Sequence, residues 1–334
     1  TGLSTAYDLT KAGHNVVVFE AGDNIGGLAS GFKISQWDWT LEKFYHHWFA
    51  SDKHLLRLTE ELGIRCKVMF LQPRTVVYHE KRFYPLDSAF SVLNFPGLHP
   101  LARIRFAAVL AFIKSWPDVV ALEKYTAEAW MKKWMGGTAY RTMMQPLLVS
   151  KFGKKYSRKV NMAWMWARLH APTTQLGTFE GGFQEFMDVL AERVRQQGGD
   201  IHLSAPINRI RKNSLGGLIL QTPSGPQTFD QCVATISPRQ MSGLVPDLPE
   251  SYRQKLINLR SMGAVVMVIA LDRQLTEYYW HNLPKEHGFP FLALVEHTNF
   301  VSPKHFGGNH IVYCGDYLQP DHEYFDLTKE ELLD

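Results

Sequence analysis

The chain has 334 residues, of which 45% are hydrophobic and 20% charged, the composition of an ordinary globular protein long enough for two domains. Disordered, collagen-like and low-complexity classes are excluded. Lys and Arg exceed Asp and Glu by only four charges, spread along the chain with no basic tail, so charge points to no nucleic-acid partner.

Leu3, Ala6 and Leu9 share one helical face, Gly13 stops it, and the apolar run 16–19 ends in Glu20, which reads as helix, tight turn and buried strand. A loop with Gly22, Gly26, Gly27 and Gly31 follows, then an aromatic stretch over 37–49. A helix is predicted over about 52–62, closing on Gly63, then strands between Val68 and Tyr84 with a turn at Glu80-Lys81. Residues 101–170 read as mostly helical and carry five of the nine Trp and six of the eleven Met. After Gly181-Gly182 come a helix over 183–196, a short strand at 201–203 and an extended segment at 206–210. A hairpin turning at Pro223-Ser224-Gly225, a strand over 228–235 and a short helix from Pro238 follow. Strands at 264–271, 291–295 and 310–313 predict one antiparallel sheet in a second domain.

Cys66, Cys232 and Cys314 lie far apart without C-x-x-C spacing, so neither a disulfide framework nor a zinc site is suggested; no metal and a reducing, cytoplasmic compartment are expected. The longest apolar run, 106–113, falls well short of the ~20 residues of a spanning helix. Thr1 in place of Met, and a helical 328–334 segment without a stop signal, read as a fragment lacking both ends.

Thr1-Gly2-Leu3 has the form of the tail of a G-x-G-x-x-G fingerprint, with Gly2 opening a helix. Glu20 stands 18 residues on, at the tip of the next strand. A helix N-terminus offers free N–H groups to a pyrophosphate, and a carboxylate at the strand tip accepts from a ribose hydroxyl. The alternative is any strand-helix-strand unit with a surface Glu. Six residues past Glu20 stands the double glycine of Ala21-Gly22-Asp23-Asn24-Ile25-Gly26-Gly27-Leu28-Ala29.

At this point the sequence resembles the flavin-dependent amine-oxidase superfamily, in particular the branch of protoporphyrinogen oxidase and phytoene-desaturase-like enzymes. The resemblance continues through Leu176-Gly177-Thr178-Phe179-Glu180-Gly181-Gly182, Pro206-Ile207-Asn208-Arg209-Ile210 and Phe229-Asp230-Gln231-Cys232-Val233-Ala234-Thr235. It implies an α/β fold: a discontinuous Rossmann-like FAD-binding domain over 1–65 and 175–250, interleaved with an α+β substrate domain over 66–174 (largely helical) and 251–334 (sheet). The cofactor implied is FAD, held by Thr1, Gly2, Glu20, Gly26, Gly27, Leu28, Ala29 and the backbone of Ile207. His46 and His47, in the stretch the family sets beside the isoalloxazine, are the candidate catalytic residues, with a packed or surface His pair as the alternative. The initial strand and the C-terminal Gly-Asp block of the family are expected outside these residues; Cys314-Gly315-Asp316 reads as an ordinary strand end, with that Gly-Asp block as the alternative.

The implied activity is hydride transfer from an apolar or amine-type small molecule to flavin N5. Two further classes share the fold: a UDP-galactopyranose-mutase-like flavin isomerase, which an Arg pair would mark, and a flavin-free GDP-dissociation-inhibitor-like binding module. Arg103, Arg105 and Lys114 around 106–113 suit either a helix lying on a membrane surface or a helical core with solvated charges. The basic patch Lys151, Lys154, Lys155, Arg158 and Lys159 suits a solvated loop or, more sharply, an anionic substrate or lipid headgroup. Nothing in the sequence sets the oligomeric state.

Overall fold

The computed structural model describes residues 1–85, 89–170 and 175–333 of the chain. Asp334 and residues 171–174, across which the sequence sets a domain boundary, lie outside the described residues. In chain order the strands are β1 (Val17–Phe19), β2 (Gly31–Phe32), β3 (Leu41–Glu42), β4 (Val68–Leu71), β5 (Thr75–His79), β6 (Arg82–Pro85), β7 (Leu176–Phe179) and β8 (Asp200–His202). They continue with β9 (Arg209–Lys212), β10 (Leu218–Thr222), β11 (Gly225–Phe229), β12 (Gly263–Leu271), β13 (Trp280–Asn282), β14 (Ala293–Glu296) and β15 (His310–Leu318).

The N-terminal helix Gly2–Lys11 buries Ala6 and Tyr7 against the helix Phe183–Gln196, whose Phe183, Phe186, Leu190 and Val194 recur at helical spacing. β1 and β8, each the strand that follows one of these helices in the chain, pair in parallel, Val17 opposite Asp200 and Phe19 opposite His202. Two segments nearly 200 residues apart thus form one unit. β4, placed by sequence at the start of the substrate domain, pairs with β7, and Val68 packs in this same core beside Leu62 and Phe179.

The second unit is a six-stranded sheet in the order β12-β15-β14-β13-β5-β6. The antiparallel sheet expected of 264–271, 291–295 and 310–313 is present as β12, β15 and β14, and it continues through β13, which runs parallel to β5. No hairpin joins strands so distant in sequence, so turn geometry places no constraint on their relative direction. Two strand expectations shrink. Pro206, which lacks an N–H for a ladder, precedes a strand that starts only at Arg209, and the strand predicted over 228–235 ends at Phe229. Residues 231–237 are all exposed and extend no ladder among the described residues.

Between β6 and β7 the chain is helical, and its Trp and Met side chains fill a core with Phe106, Ile113, Trp130, Met131, Tyr140, Leu148 and Met162. Arg105 donates to the carbonyls of Trp134 and Lys133 (2.6 and 2.7 Å) at the end of the helix Ala127–Met135. Arg103 donates to Leu98 and Leu93 carbonyls at 2.6 and 3.1 Å. Two of the cations that suited either a membrane surface or a helical core with solvated charges therefore satisfy carbonyls, those of Lys133, Trp134 and Leu93 being ones that helix ends leave free. Leu101, Ile104 and Phe112 of the same helix, Pro100–Ser115, stay exposed. Among the described residues no helix is long and apolar enough to cross a membrane.

Candidate functional site

The residues singled out near the N-terminus meet at one end of the β1–β8 pair. Thr1 caps the first helix without a side-chain bond, and among the described residues no protein acceptor meets the N–H groups of Gly2, Leu3 or Ser4. A Cβ on Gly2 would stand 3.1 Å from Thr235 Oγ1, so glycine lets the exposed 231–237 segment approach the helix end. Glu20 is tied down by its backbone, its N–H donating to His202 O and its carbonyl accepting from Ala205 N, each at 2.9 Å. Its Oε1 accepts from Gly22 N–H at 2.8 Å, and its Oε2 has no protein partner among the described residues. Ser204, at φ 49°, closes the same corner by donating its N–H to Gly22 O at 2.7 Å.

Gly26 has φ 110°, and a Cβ there would press on the Ser30 backbone at 3.1 Å; both requirements are met only by glycine. Gly27 starts the short turn Gly27–Ala29, and a Cβ on it would meet nothing within 4 Å. That turn faces open space, with Leu28 exposed and Ala29 half-buried. Ile207 is half-buried, and neither its N–H nor its carbonyl meets a protein partner among the described residues. Free backbone donors at a positive dipole end, a spare carboxylate oxygen and a glycine-lined opening are what a dinucleotide requires, and these residues fit one.

The histidine pair divides. His46 is exposed, its ring 6.1 Å from that of Phe44, and partial burial holds its pKa below the usual 6.5. His47 turns inward among Tyr279, Trp280 and Phe300, and its Nε2 makes a short hydrogen bond to Tyr279 Oη. Burial, with the charges of His297, His46 and Arg168 adding to it, pushes the His47 pKa down to about 3. Burial raises the Tyr279 phenol well above 10. With the imidazole neutral and the phenol protonated, the tautomer sets the direction of this bond: Tyr279 O–H donates to Nε2 when the imidazole proton is on Nδ1, and Nε2–H donates to Oη when it is on Nε2.

Trp48 is the anchor of this stretch. Its ring stacks on Phe183 at 5.0 Å and meets Phe186 edge-on at 5.1 Å, while its backbone exchanges bonds with Gly177 at 2.9 and 2.7 Å. Glu42 is wholly buried, and its Oε1 accepts the Phe183 N–H at 2.9 Å, the first N–H of that helix. Burial raises the Glu42 pKa above 4.5, opposed by hydrogen bonds from the Phe183 and Glu42 backbone.

Tyr45 lies over Gly315, where a Cβ would overlap its hydroxyl, so β15 accepts the tyrosine only because position 315 is glycine. Cys314-Gly315-Asp316 lies inside β15, with Asp316 Oδ2 2.5 Å from Lys285 Nζ. Sequence reasoning passed over Tyr279, Glu42 and His297 as site residues. Tyr279 is 232 positions from His47, and no local signal joins them.

The whole chain, residues 1–334, matches the family described as flavin containing amine oxidoreductase. It is 25% identical over 358 residues to the 15-cis-phytoene desaturase of Glycine max, covering 98% of this chain and 59% of that protein. It is 24% identical to the flavin-containing amine oxidase A of Sus scrofa, covering 80% of this chain and 53% of that one. A solved oxidoreductase from Methanosarcina mazei superposes with a TM-score of 0.76 at 17% identity, covering 99% of this chain and 79% of the other. The chain thus spans a little over half the length of the curated relatives it matches, and it belongs to the flavin-containing amine oxidoreductase family, whose cofactor is FAD.

Proposed function

We propose that this chain binds FAD along the Gly2–Glu20–Gly26 edge and oxidises an apolar or amine-type small molecule beside the 44–48 stretch. The observation that carries the reading is the meeting of a free helix N-terminus, a carboxylate with one unengaged oxygen and an open glycine turn around one parallel strand pair. The phytoene desaturase and amine oxidase relatives support a small-molecule substrate. When bound, FAD supplies the electron sink, taking up hydride at N5.

The chain's own groups bind and orient. The N–H groups of Gly2 to Ser4 serve pyrophosphate charge, Glu20 Oε2 a ribose hydroxyl, the Ile207 backbone the adenine, and Gly26, Gly27, Leu28 and Ala29 the close approach of backbone to cofactor. Of the two imidazoles, His46 is the one free to take or give a proton to substrate near neutral pH. His47, neutral and bonded to Tyr279, holds the wall against which His46 and Tyr45 are set.

The test is FAD titration of the purified protein. Glu20→Ala should weaken binding by ~1.5–3 kcal/mol through loss of a charge-assisted bond. Wild-type protein expressed together with the initial strand and the Gly-Asp block expected outside these residues, and still taking up no flavin, overturns the reading. Rapid-reaction reduction of His46→Ala and His47→Ala, normalised to bound flavin, then tests the division of roles. A proton-moving His46 predicts a rate loss on the order of 10²–10⁴ confined to the first variant.

A further inference from the structure

The cations of the helical region have different fates. Arg103 and Arg105 are spent on carbonyls, and Lys151 lies over the rings of Trp164 and Tyr317, 5.6 and 4.8 Å from their centroids. Arg141, Lys154 and Arg158 are exposed and line one open cleft of about 380 Å³ with Gln145 and Ser157. None of the three makes an ion pair among the described residues. The sequence offers no nearby relief, because between Glu128 and Glu180 it carries nine Lys or Arg and no acidic residue. Three like charges around one cleft repel each other, and an anion seated among them turns that repulsion into attraction.

The backbone builds this cleft at two irregular places. Arg141 sits in the π-helical turn Tyr140–Met144, and the following helix, Gln145–Ser157, breaks at Gly153 (φ 72°), so that Lys154 and Arg158 follow the break. Interruptions of this kind inside helices often mark functional positions.

The cleft has an apolar neighbour. A cavity of about 220 Å³ lies between the same helices and the large sheet, walled by Val77, Met143, Leu147, Leu283 and Leu292, and Arg141 and Pro146 line both spaces. The acid on its lining, Glu80, is 80% exposed and stands 3.9 Å from His79 Nε2.

We propose that cleft and cavity together bind one amphipathic substrate, its apolar part between sheet and helix and its anionic group, a carboxylate or a phosphate, on Arg141, Lys154 and Arg158. This deepens the proposed function, resting on its small-molecule substrate and narrowing the class to a molecule with an apolar body and an anionic end. Arg serves this better than Lys where a planar oxyanion is to be gripped by two N–H groups, and two of the three cations are Arg.

The experiment is isothermal titration of the protein with octanoate, octyl phosphate, octanol and inorganic phosphate, needing neither flavin nor turnover. Octanoate or octyl phosphate should bind at least about tenfold tighter than both octanol and inorganic phosphate, and raising the salt should weaken the anions alone. The exposed double variant Arg141→Gln/Arg158→Gln should bring the anionic amphiphile to the affinity of octanol while leaving octanol and the melting temperature unchanged. Octanol equal to the anions in the wild type, or no binding by any amphiphile, overturns the proposal. Inorganic phosphate equal to octyl phosphate overturns it too, leaving a cleft for free phosphate alone. A protein that fails to take up FAD yet passes this titration loses the redox reading and keeps the binding site; the reverse result loses only the site.

Discussion

At the Gly2–Glu20–Gly26 edge the helix N–H groups, one Glu20 oxygen and the Ile207 backbone face no protein partner among the described residues, and what holds the edge in place is backbone bonding between the β1 and β8 ends. Against it stands the His47–Trp48 wall, where nearly every group is used internally: Nε2 on Tyr279, the indole on Phe183 and Phe186, the Trp48 backbone on Gly177. The first region leaves its polar groups open for the ligand proposed above and contributes little to its own stability. The second is organised to stay as it is. Side-chain changes at the edge should therefore cost ligand affinity, and changes in the wall should cost folding.

The largest expected effect is in the wall. Trp48→Ala empties a buried position among Phe179, Phe183 and Phe186 and should destabilise the protein by ~3–5 kcal/mol. Glu20→Ala, in contrast, should stay within ~0.5 kcal/mol of wild type. Thermal or urea unfolding of both proteins without added flavin decides the matter. Comparable losses in the two would erase the distinction.

The next effect is acid sensitivity. In the folded chain burial lowers His47 to about 3 and His297 to about 4, against 6.5 for an ordinary histidine. Between those values the unfolded chain binds more protons. The stability from these two groups is therefore complete above pH 6.5 and drains away as the pH falls toward 4 and 3. Each contributes a slope of up to ~1.4 kcal/mol per pH unit. His47→Phe should flatten the urea-midpoint profile between pH 6.5 and 4, whereas His46→Phe should leave most of it. An unchanged profile in the first variant would remove His47 from the buried wall.

A smaller effect tests a place where sterics constrain the backbone of the edge. Gly26→Ala must hold a Cβ at φ 110° against the Ser30 backbone and should cost ~1–3 kcal/mol. Gly27→Ala meets no atom within 4 Å but must hold a φ of 57°, so it should cost less than Gly26→Ala without being free of strain, while intruding on the opening where cofactor is expected. Melting temperature and flavin affinity measured on both variants separate backbone strain from occlusion.

Much of the fold is legible because its signals are local. The helix Phe183–Gln196 has the predicted bounds, set by Gly182 before it and by Phe183, Phe186, Leu190 and Val194 along one face. The Glu80-Lys81 turn follows as well, with both residues at positive φ (47° and 63°), the form a two-residue hairpin demands. What depends on distant partners is not legible. Residues 231–237 have strand-like composition, yet a strand exists only where a neighbour takes its hydrogen bonds, and nothing local reveals its absence. His46 and His47 are adjacent in sequence and differ completely in environment. The difference is decided by Tyr279 and Phe300, contributed from more than 230 positions away.

The smallest expected effect concerns Glu42, an acid buried inside the wall. Among the described residues no cation pairs with its carboxyl, and burial raises its pKa above 4.5 even with the Phe183 and Glu42 N–H groups supporting the charged form. A carboxyl whose folded pKa is raised binds its proton longer in the folded chain than in the unfolded one. Its contribution is therefore most favourable at low pH and worsens as the pH climbs past 4.5, opposite in sign to the buried histidines. Glu42→Gln keeps an oxygen for the Phe183 N–H and removes the titration. Its amide also brings an N–H₂ to a place where an oxygen faced a donor, a fixed cost of about 1 kcal/mol independent of pH. The absolute change at one pH is thus a poor measure, and the pH dependence is the informative one. The stability difference, variant minus wild type, should move in favour of Gln as the pH rises from 4.5 toward 8. A difference that is flat, or that moves toward Glu, would mean that the helix N-terminus at Phe183 holds Glu42 as a carboxylate despite its burial.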